Sequence, residues 1–223
     1  FDLLFRAALS FELLTKFYFH VKILKKKGRV MKKLLGIDID GVIANSDVKF
    51  RESMTKYFNK DFNREDVFTF SYEESFGITK EEMRGFWNHF YKKGEWLTIE
   101  PLKGAIESIQ KLKKFYTIFV VTGRPDGLKE VTEGWLKKYN VYYDELFMTN
   151  FLDKFEHLLN NGHRPEWFIE DHLYFSIGLA RNGVKVLLFD YPWNRTGEDV
   201  THINIYRVNG WADALEHLLE GKK

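Results

Sequence analysis

Short, nearly continuous apolar runs recur along this chain, separated by stretches with helical spacing. The runs fall at residues 34–39, 116–121, 145–148, 167–169 and 184–189. Helical patterns lie at 127–139, 152–160, 173–182 and 210–219. Runs without polar alternation, such as 116–121 and 184–189, suit strands buried on both faces. Strands alternating with helices imply right-handed crossovers and a parallel sheet covered on both sides. The predicted fold class is α/β, a Rossmann-like three-layer α/β/α sandwich.

One interval breaks the rhythm. About 75 residues separate the first apolar run from the second, far more than a single crossover helix requires. Residues 46–58 and 79–91 both show helical patterns, and Pro101 opens a third pattern that runs to Lys113. Residues 45–100 are therefore expected to form a small helical insert after the first strand, with 103–113 as the crossover helix. The core is expected to comprise residues 31–44 and 101–223.

Residues 1–30 differ from the rest. Leu3, Leu4, Ala7, Phe11, Leu14 and Phe17 recur near helical spacing, but Arg6, Glu12 and Lys16 interrupt the apolar stretch. It is too broken for a membrane span and lacks the basic start and apolar run of a secretory signal. The run from Lys25 to Val30 directly precedes Met31, and codons for such residues are purine-rich, like a bacterial ribosome-binding site. Met31 is accordingly read as the biological start. Residues 1–30 are read as a leader, either translated upstream sequence or a disordered or helical extension.

The chain of 223 residues is 44% hydrophobic and 30% charged, an ordinary globular composition. Its net charge of +2 hides an asymmetry, because residues 1–30 carry +5 and the rest is mildly acidic. An acidic body offers no electrostatic footprint for a nucleic acid polymer. The absence of cysteine excludes disulfides and thiolate metal sites and suits a reducing cytoplasm. Nothing in the pattern decides the oligomeric state, which leaves a homodimer open. The 17% aromatic content, with 21 Phe, fits either a large core or an aromatic-lined pocket.

Candidate chemistry sits at the strand ends. The first run closes in Asp38-Ile39-Asp40-Gly41. Two carboxylates two residues apart at the C-terminal edge of a buried strand repel unless a cation or proton lies between them. In an open α/β sheet that edge is also where ligands bind. A hard cation with oxygen ligands, Mg²⁺ first, would reconcile the charges; the competing reading is a plain Asp-Gly turn. Later runs end in Thr122-Gly123-Arg124-Pro125 and in Glu170-Asp171-His172, and Asp153-Lys154 opens the helix after the third run. Each is commonplace alone, although the second acidic pair is harder to dismiss. His172 adjoins that pair, but the histidines form no ligand spacing.

Taken in order, Asp-x-Asp-Gly, Thr, Lys and Glu-Asp after successive strands resemble the motifs of the haloacid dehalogenase superfamily of phosphohydrolases, across residues 32–207. The resemblance implies roles. Asp38 would be the nucleophile and Asp40 the general acid and base. Thr122 and the Gly123 amide would hold the phosphoryl oxygens, and Lys154 would offset their charge. Asp171 would hold Mg²⁺ with the Asp38 carboxylate and the Asp40 backbone carbonyl, while Glu170 would act through a water or only shape its loop. Superfamily members that dehalogenate lack the second aspartate, so Asp40 favours phosphate monoester hydrolysis.

The insert occupies the position of the superfamily's cap. Phe86-Trp87, Phe90-Tyr91, Trp96 and the stretch 97–105 resemble the cap exit of 5'(3')-deoxyribonucleotidases, and residues 122–125, 131–136 and 189–195 resemble bacterial nucleotidase-like members. The resemblance implies a small-molecule phosphate monoester, a nucleoside monophosphate first, as substrate. Phe86 and Trp87 would stack a nucleobase or form the cap's own core. Arg124 would approach phosphate or ribose, or pair with the following helix. The alternatives are a phosphatase for another small monoester, such as a sugar phosphate, and a non-catalytic nucleotide-binding protein.

Overall fold

Leu35 and Ile37 are completely buried at the centre of a parallel sheet, because their strand, β1 (Lys33–Ile37), is flanked on both sides. It pairs in register with β2 (Tyr116–Thr122), Leu35 opposite Ile118, and with β4 (Trp167–Glu170), Leu35 opposite Trp167. The computed structural model describes residues 32–150, 153–195 and 202–220; the expected leader at 1–30 lies outside them. Beyond β2 lies β3 (Glu145–Met148), and beyond β4 lie β5 (Lys185–Phe189) and β6 (Ile205–Val208). The six strands run parallel in the order β3-β2-β1-β4-β5-β6. The order reverses direction at β1, which opens a crevice at its carboxyl end.

Side-chain alternation along the strands separates two cores. Ile118 and Val120 face one layer, with α4 (Ala105–Leu112), α5 (Lys129–Lys138) and α8 (Trp211–Leu219). Phe119 and Val121 face the other, with α6 (Lys154–Asn160) and α7 (Leu173–Arg181). The expected three-layer sandwich is present. Gly36 is where the sheet packs most closely, since a Cβ there would lie 2.3 Å from the Phe168 ring.

The fold departs from the pattern in two places. β6 is an additional strand that the apolar runs do not reveal. It is a short edge strand, with Arg207 exposed and only Val208 fully buried, so it lacks the continuous apolar signal. The crossover helix α4 begins at Ala105, not at residue 103, because Gly104 adopts a left-handed φ of 82° that no helical residue shares.

Residues 45–100 contain α1 (Ser46–Phe58), α2 (Tyr72–Phe76) and α3 (Lys80–Lys92), with short 3₁₀ turns at Arg64–Asp66 and Glu95–Thr98. Thr79 and Glu82 form a reciprocal capping box that starts α3. Phe86 and Phe90 are completely buried; Phe90 is edge-on to Phe50, Trp87 and Trp96, Phe86 is tilted against Trp87 and Phe90, and Trp87 stacks on Trp96. The two connections to the sheet lie side by side. Asn45 N donates to Glu100 O at 2.8 Å, Leu102 N donates to Ile43 O at 2.8 Å, and Ala44 pairs antiparallel with Pro101.

Candidate active site

Asp38 leaves the end of β1 with its backbone N still donating to Ile169 O at 3.0 Å, so the ladder with β4 fixes where its side chain goes. The chain then turns sharply, with the amides of Val42, Ile43 and Ala44 all converging on Ile39 O. Gly41 has a φ of 77°, and a Cβ there would lie 2.2 Å from Asp171 Oδ2. Only glycine lets the second acidic loop close on the first.

Lys154 is not the solvated charge that a helical lysine usually is; its side chain is 2% exposed. It is the first residue of α6, a helix started by the Asp153 carboxylate accepting from Glu156 N. An ammonium at a helix N-terminus opposes the helix dipole, so carboxylates must hold it there. Its Nζ donates to Glu170 Oε2 at 2.8 Å and lies 2.9 Å from Asp38 Oδ1. Glu170 is completely buried, and its Oε1 accepts from the amides of Asp171 and His172. It therefore anchors both the lysine and the loop that carries Asp171.

The electrostatics are those of crowded, desolvated acids. Burial, reinforced by the charges of Glu170 and Asp40, pushes Asp38 up to about 7 even though Lys154 pulls it down. Burial and the charges of Glu170 and Asp38 hold Asp171 well above the usual carboxylate range. Burial opposes charge on Lys154 as well, but Asp38 and Glu170 prevail and raise it above its ordinary value. Asp40 goes the other way. Partial burial would raise it, but the Arg124 guanidinium wins and holds it low, aided by a hydrogen bond from Ser46 Oγ.

A cation fits this donor set. Asp38, Glu170 and Asp171 each offer a carboxylate oxygen within 4.8 Å of the others. The Lys154 ammonium lies 2.9 Å from the buried Asp38 Oδ1, an ion pair that it shares with Glu170. Three buried carboxylates stand against the Lys154 ammonium, and such a surplus of buried negative charge calls for a further cation; an all-oxygen set suits Mg²⁺. Glu170 is committed through both oxygens, to Lys154 and to two amides, whereas Asp38 and Asp171 each have one oxygen engaged, by Lys154 and by Trp193, so these two are the carboxylates placed to ligate. Asp40's carboxylate is outside the group, and its expected contribution is a backbone carbonyl. Mg²⁺ at about 100 times its Kd should stabilise the protein by about 2.7 kcal/mol, roughly a 5–10 °C rise in Tm for a chain of this size. Differential scanning fluorimetry checks this, and Asp171→Asn should lose most of the rise.

These groups form the floor of a cavity of about 690 Å³. Asp38, Asp40, Thr122, Gly123, Lys154 and Asp171 all border it. Thr122 Oγ1 accepts from Arg124 N at 3.2 Å, which fixes the hydroxyl at the cavity's border. The insert supplies the roof, with Phe50, Phe70, Tyr72, Trp87, Tyr91 and Trp96. Of the pair Phe86-Trp87, Trp87 lines the cavity while Phe86 is enclosed in the aromatic core of the insert. Arg124 turns to Asp40 and to Thr132 of the following helix α5. His172 accepts from Tyr174 N and caps α7.

The loop after β5, within the stretch 189–195 that carries the family resemblance, contributes residues to which the sequence assigns no role. Trp193 Nε1 donates to Asp171 Oδ2 at 3.2 Å, and Asn194 Nδ2 donates to Asp171 O at 2.7 Å. Tyr191 stacks on Trp193 and donates from its hydroxyl to Gly41 O. Arg64, from the insert, lies over both rings. The aromatic run 191–193 is visible in the sequence, but its contact with Asp171 depends on where β5 ends.

Residues 32–223 match the family model described as "5' nucleotidase, deoxy (Pyrimidine), cytosolic type C protein". The chain belongs to this family. Among named relatives, "Putative nucleotidase YqfW" of Bacillus subtilis is 30% identical over 191 residues, covering 84% of this chain and 94% of its own. A protein named as a nucleotidase in Clostridium acetobutylicum is 29% identical over 189 residues, covering 82% and 94%. The fold is that of a haloacid dehalogenase-like hydrolase from Streptococcus pneumoniae, with a TM-score of 0.66 at 15% identity, over 83% of this chain and 98% of that one. This member of the 5'-nucleotidase family is thus a phosphatase with a haloacid dehalogenase-like fold, and the strand-end carboxylates occupy its crevice. Among its described residues, no helix is long and apolar enough to cross a membrane.

Proposed function

We propose that this nucleotidase hydrolyses (deoxy)nucleoside monophosphates through a phosphoryl group carried on Asp38, with Mg²⁺ as cofactor. The observation that carries the reading is the Asp38 carboxylate, buried on the cavity floor in an ion pair with Lys154 and with Thr122 beside the same space. Asp38 and Asp171, with the Asp40 carbonyl, would hold Mg²⁺, which when bound neutralises charge on the phosphoryl oxygens and on the acidic cluster. An Asp38 oxygen attacks phosphorus and the phosphorus–ester oxygen bond breaks; Asp40, ionised beside Arg124 in the free enzyme, receives the proton of the monoanionic phosphate ester and passes it to the departing 5'-oxygen. Water then attacks the phosphoryl group, Asp40 takes a proton from it, and Asp38 and inorganic phosphate are regenerated. Thr122 Oγ1 and the Gly123 amide orient the phosphoryl oxygens. Lys154 opposes the rise that burial imposes on Asp38 and balances the incoming charge.

Residues 45–100 act as a cap over the core formed by 31–44 and 101–223. Trp87, Tyr91 and Phe70 give the cavity faces on which a base can stack, and its volume suits a small ligand. The cysteine-free chain suits a cytoplasmic setting.

Steady-state kinetics on a panel of monoesters tests the reading. dUMP and dTMP are expected to exceed sugar phosphates in kcat/KM by roughly tenfold or more, the discrimination that a few apolar contacts supply. Sugar phosphates turned over faster would make this a general metabolite phosphatase. Nucleotide binding without release of phosphate from any member would make it a binding protein.

A further inference from the structure

We infer that Arg124 is not a substrate ligand but the residue that aims Asp40 at the leaving group, held in that pose by the cap residue Trp96. Its Nε donates to Asp40 Oδ2 and its Nη2 to Asp40 Oδ1, both at 2.7 Å. This is the two-point geometry that fixes a carboxylate plane as well as its position. Nη1 donates to Thr132 Oγ1 at 3.3 Å, and Thr132 is completely buried in α5. The open face of the guanidinium is covered by the Trp96 ring at 4.7 Å. Both residues border the cavity, but the Arg124 side chain is 3% exposed while that of Asp40 is 30% exposed, so the carboxylate presents far more surface to a ligand than the guanidinium does. Ser46 Oγ, at the start of α1, donates to Asp40 as well.

The consequence is a coupling between cap and chemistry. Trp96 closes the cap, stacked on Trp87 and edge-on to Phe50 and Phe90. Ser46 opens the cap. Both ends of the insert therefore bear on one carboxylate, directly or through Arg124. A cap held away from the core would uncover Arg124 and loosen Asp40, so proton delivery waits on closure.

This inference rests on the acid role of Asp40 proposed above. Its test is the leaving-group dependence of kcat/KM, which reports the first chemical step. Arg124→Gln is expected to lower kcat/KM for dUMP by about 100-fold, within the range that general acid catalysis supplies. For p-nitrophenyl phosphate, whose leaving group departs without a proton, the loss should stay within about fivefold. Arg124→Lys, which keeps the charge and most of the volume but contacts one oxygen at a time, should fall between them and guards against a folding defect in the glutamine variant. In an Asp40→Asn background, Arg124→Gln should add no further selective loss against dUMP.

Equal losses on the two substrates would make Arg124 structural, and a loss confined to KM for dUMP would make it a substrate ligand. Either result, or losses fully additive with Asp40→Asn, overturns the inference and leaves the phosphatase reading standing. A wild-type enzyme inactive on both substrates overturns that reading and the inference with it.

Discussion

Asp38→Asn is expected to abolish phosphate release, by at least roughly 10⁴-fold in kcat, while the protein folds as before. The amide is nearly isosteric with the carboxylate but has no anionic oxygen to attack phosphorus. The fold has no reason to suffer. The variant removes one of several crowded acids from a buried cluster in which burial already opposes charge on Asp38. Lys154 keeps its bond to Glu170. The ion-free variant should accordingly melt no lower than the wild type. Phosphate release from dUMP and a thermal melt check the two halves. Retention of more than about one per cent of wild-type kcat would refute attack by Asp38.

Lys154→Met should damage both stability and rate, through separable causes. Removing the ammonium strands Glu170, which is completely buried, beside Asp38. Leaving one partner of a buried ion pair uncompensated costs about 3–5 kcal/mol, which for a chain of this size lowers Tm by about 10 °C. Loss of charge stabilisation at the phosphoryl group should lower kcat by about 10²–10³-fold. The double variant Lys154→Met with Glu170→Gln removes the stranded charge and should recover much of the melting temperature, since Glu170 acts as an anchor. Its rate should remain as low as that of the single variant. Calorimetry and steady-state kinetics on the three proteins separate the effects, and a double variant no more stable than the single one would refute the account of Glu170.

The floor of the site is readable from sequence because a parallel sheet brings successive strand ends to one edge. Once 34–39 and 116–121 are recognised as buried strands, Asp38, Asp40, Thr122, Lys154 and Asp171 must gather there, whatever the intervening loops do. The three-layer arrangement is legible for the same reason, because continuous apolar runs are what strands covered on both faces require.

What sequence leaves open are contacts set by the angle at which a chain leaves a strand. Arg124 is 84 residues from Asp40, and its direction is decided by the turn after β2, so phosphate, ribose and the following helix all remain open before the fold is known. Trp193 and Asn194 reach Asp171 only because β5 stops at Phe189. β6 escapes notice because an edge strand need not be apolar throughout. The choice between base stacking and core packing for Phe86 and Trp87 divides along α3, one side chain turning inward and its neighbour toward the cavity.

The paired connections at Ala44 and Pro101 also bear on how such enzymes diversify. Entry and exit of the cap are antiparallel neighbours, so their Cα atoms lie roughly 5 Å apart. A gap that narrow can be bridged by a tight turn, and a foreign insert of any length whose ends meet can be spliced into it without disturbing the sheet. The fifty-odd residues between them are thus a replaceable cassette, and new substrate preferences can be acquired there while the phosphate chemistry below is inherited intact. The exceptions are Ser46 and Trp96. A replacement cassette must supply their equivalents at its two ends to keep Asp40 in place.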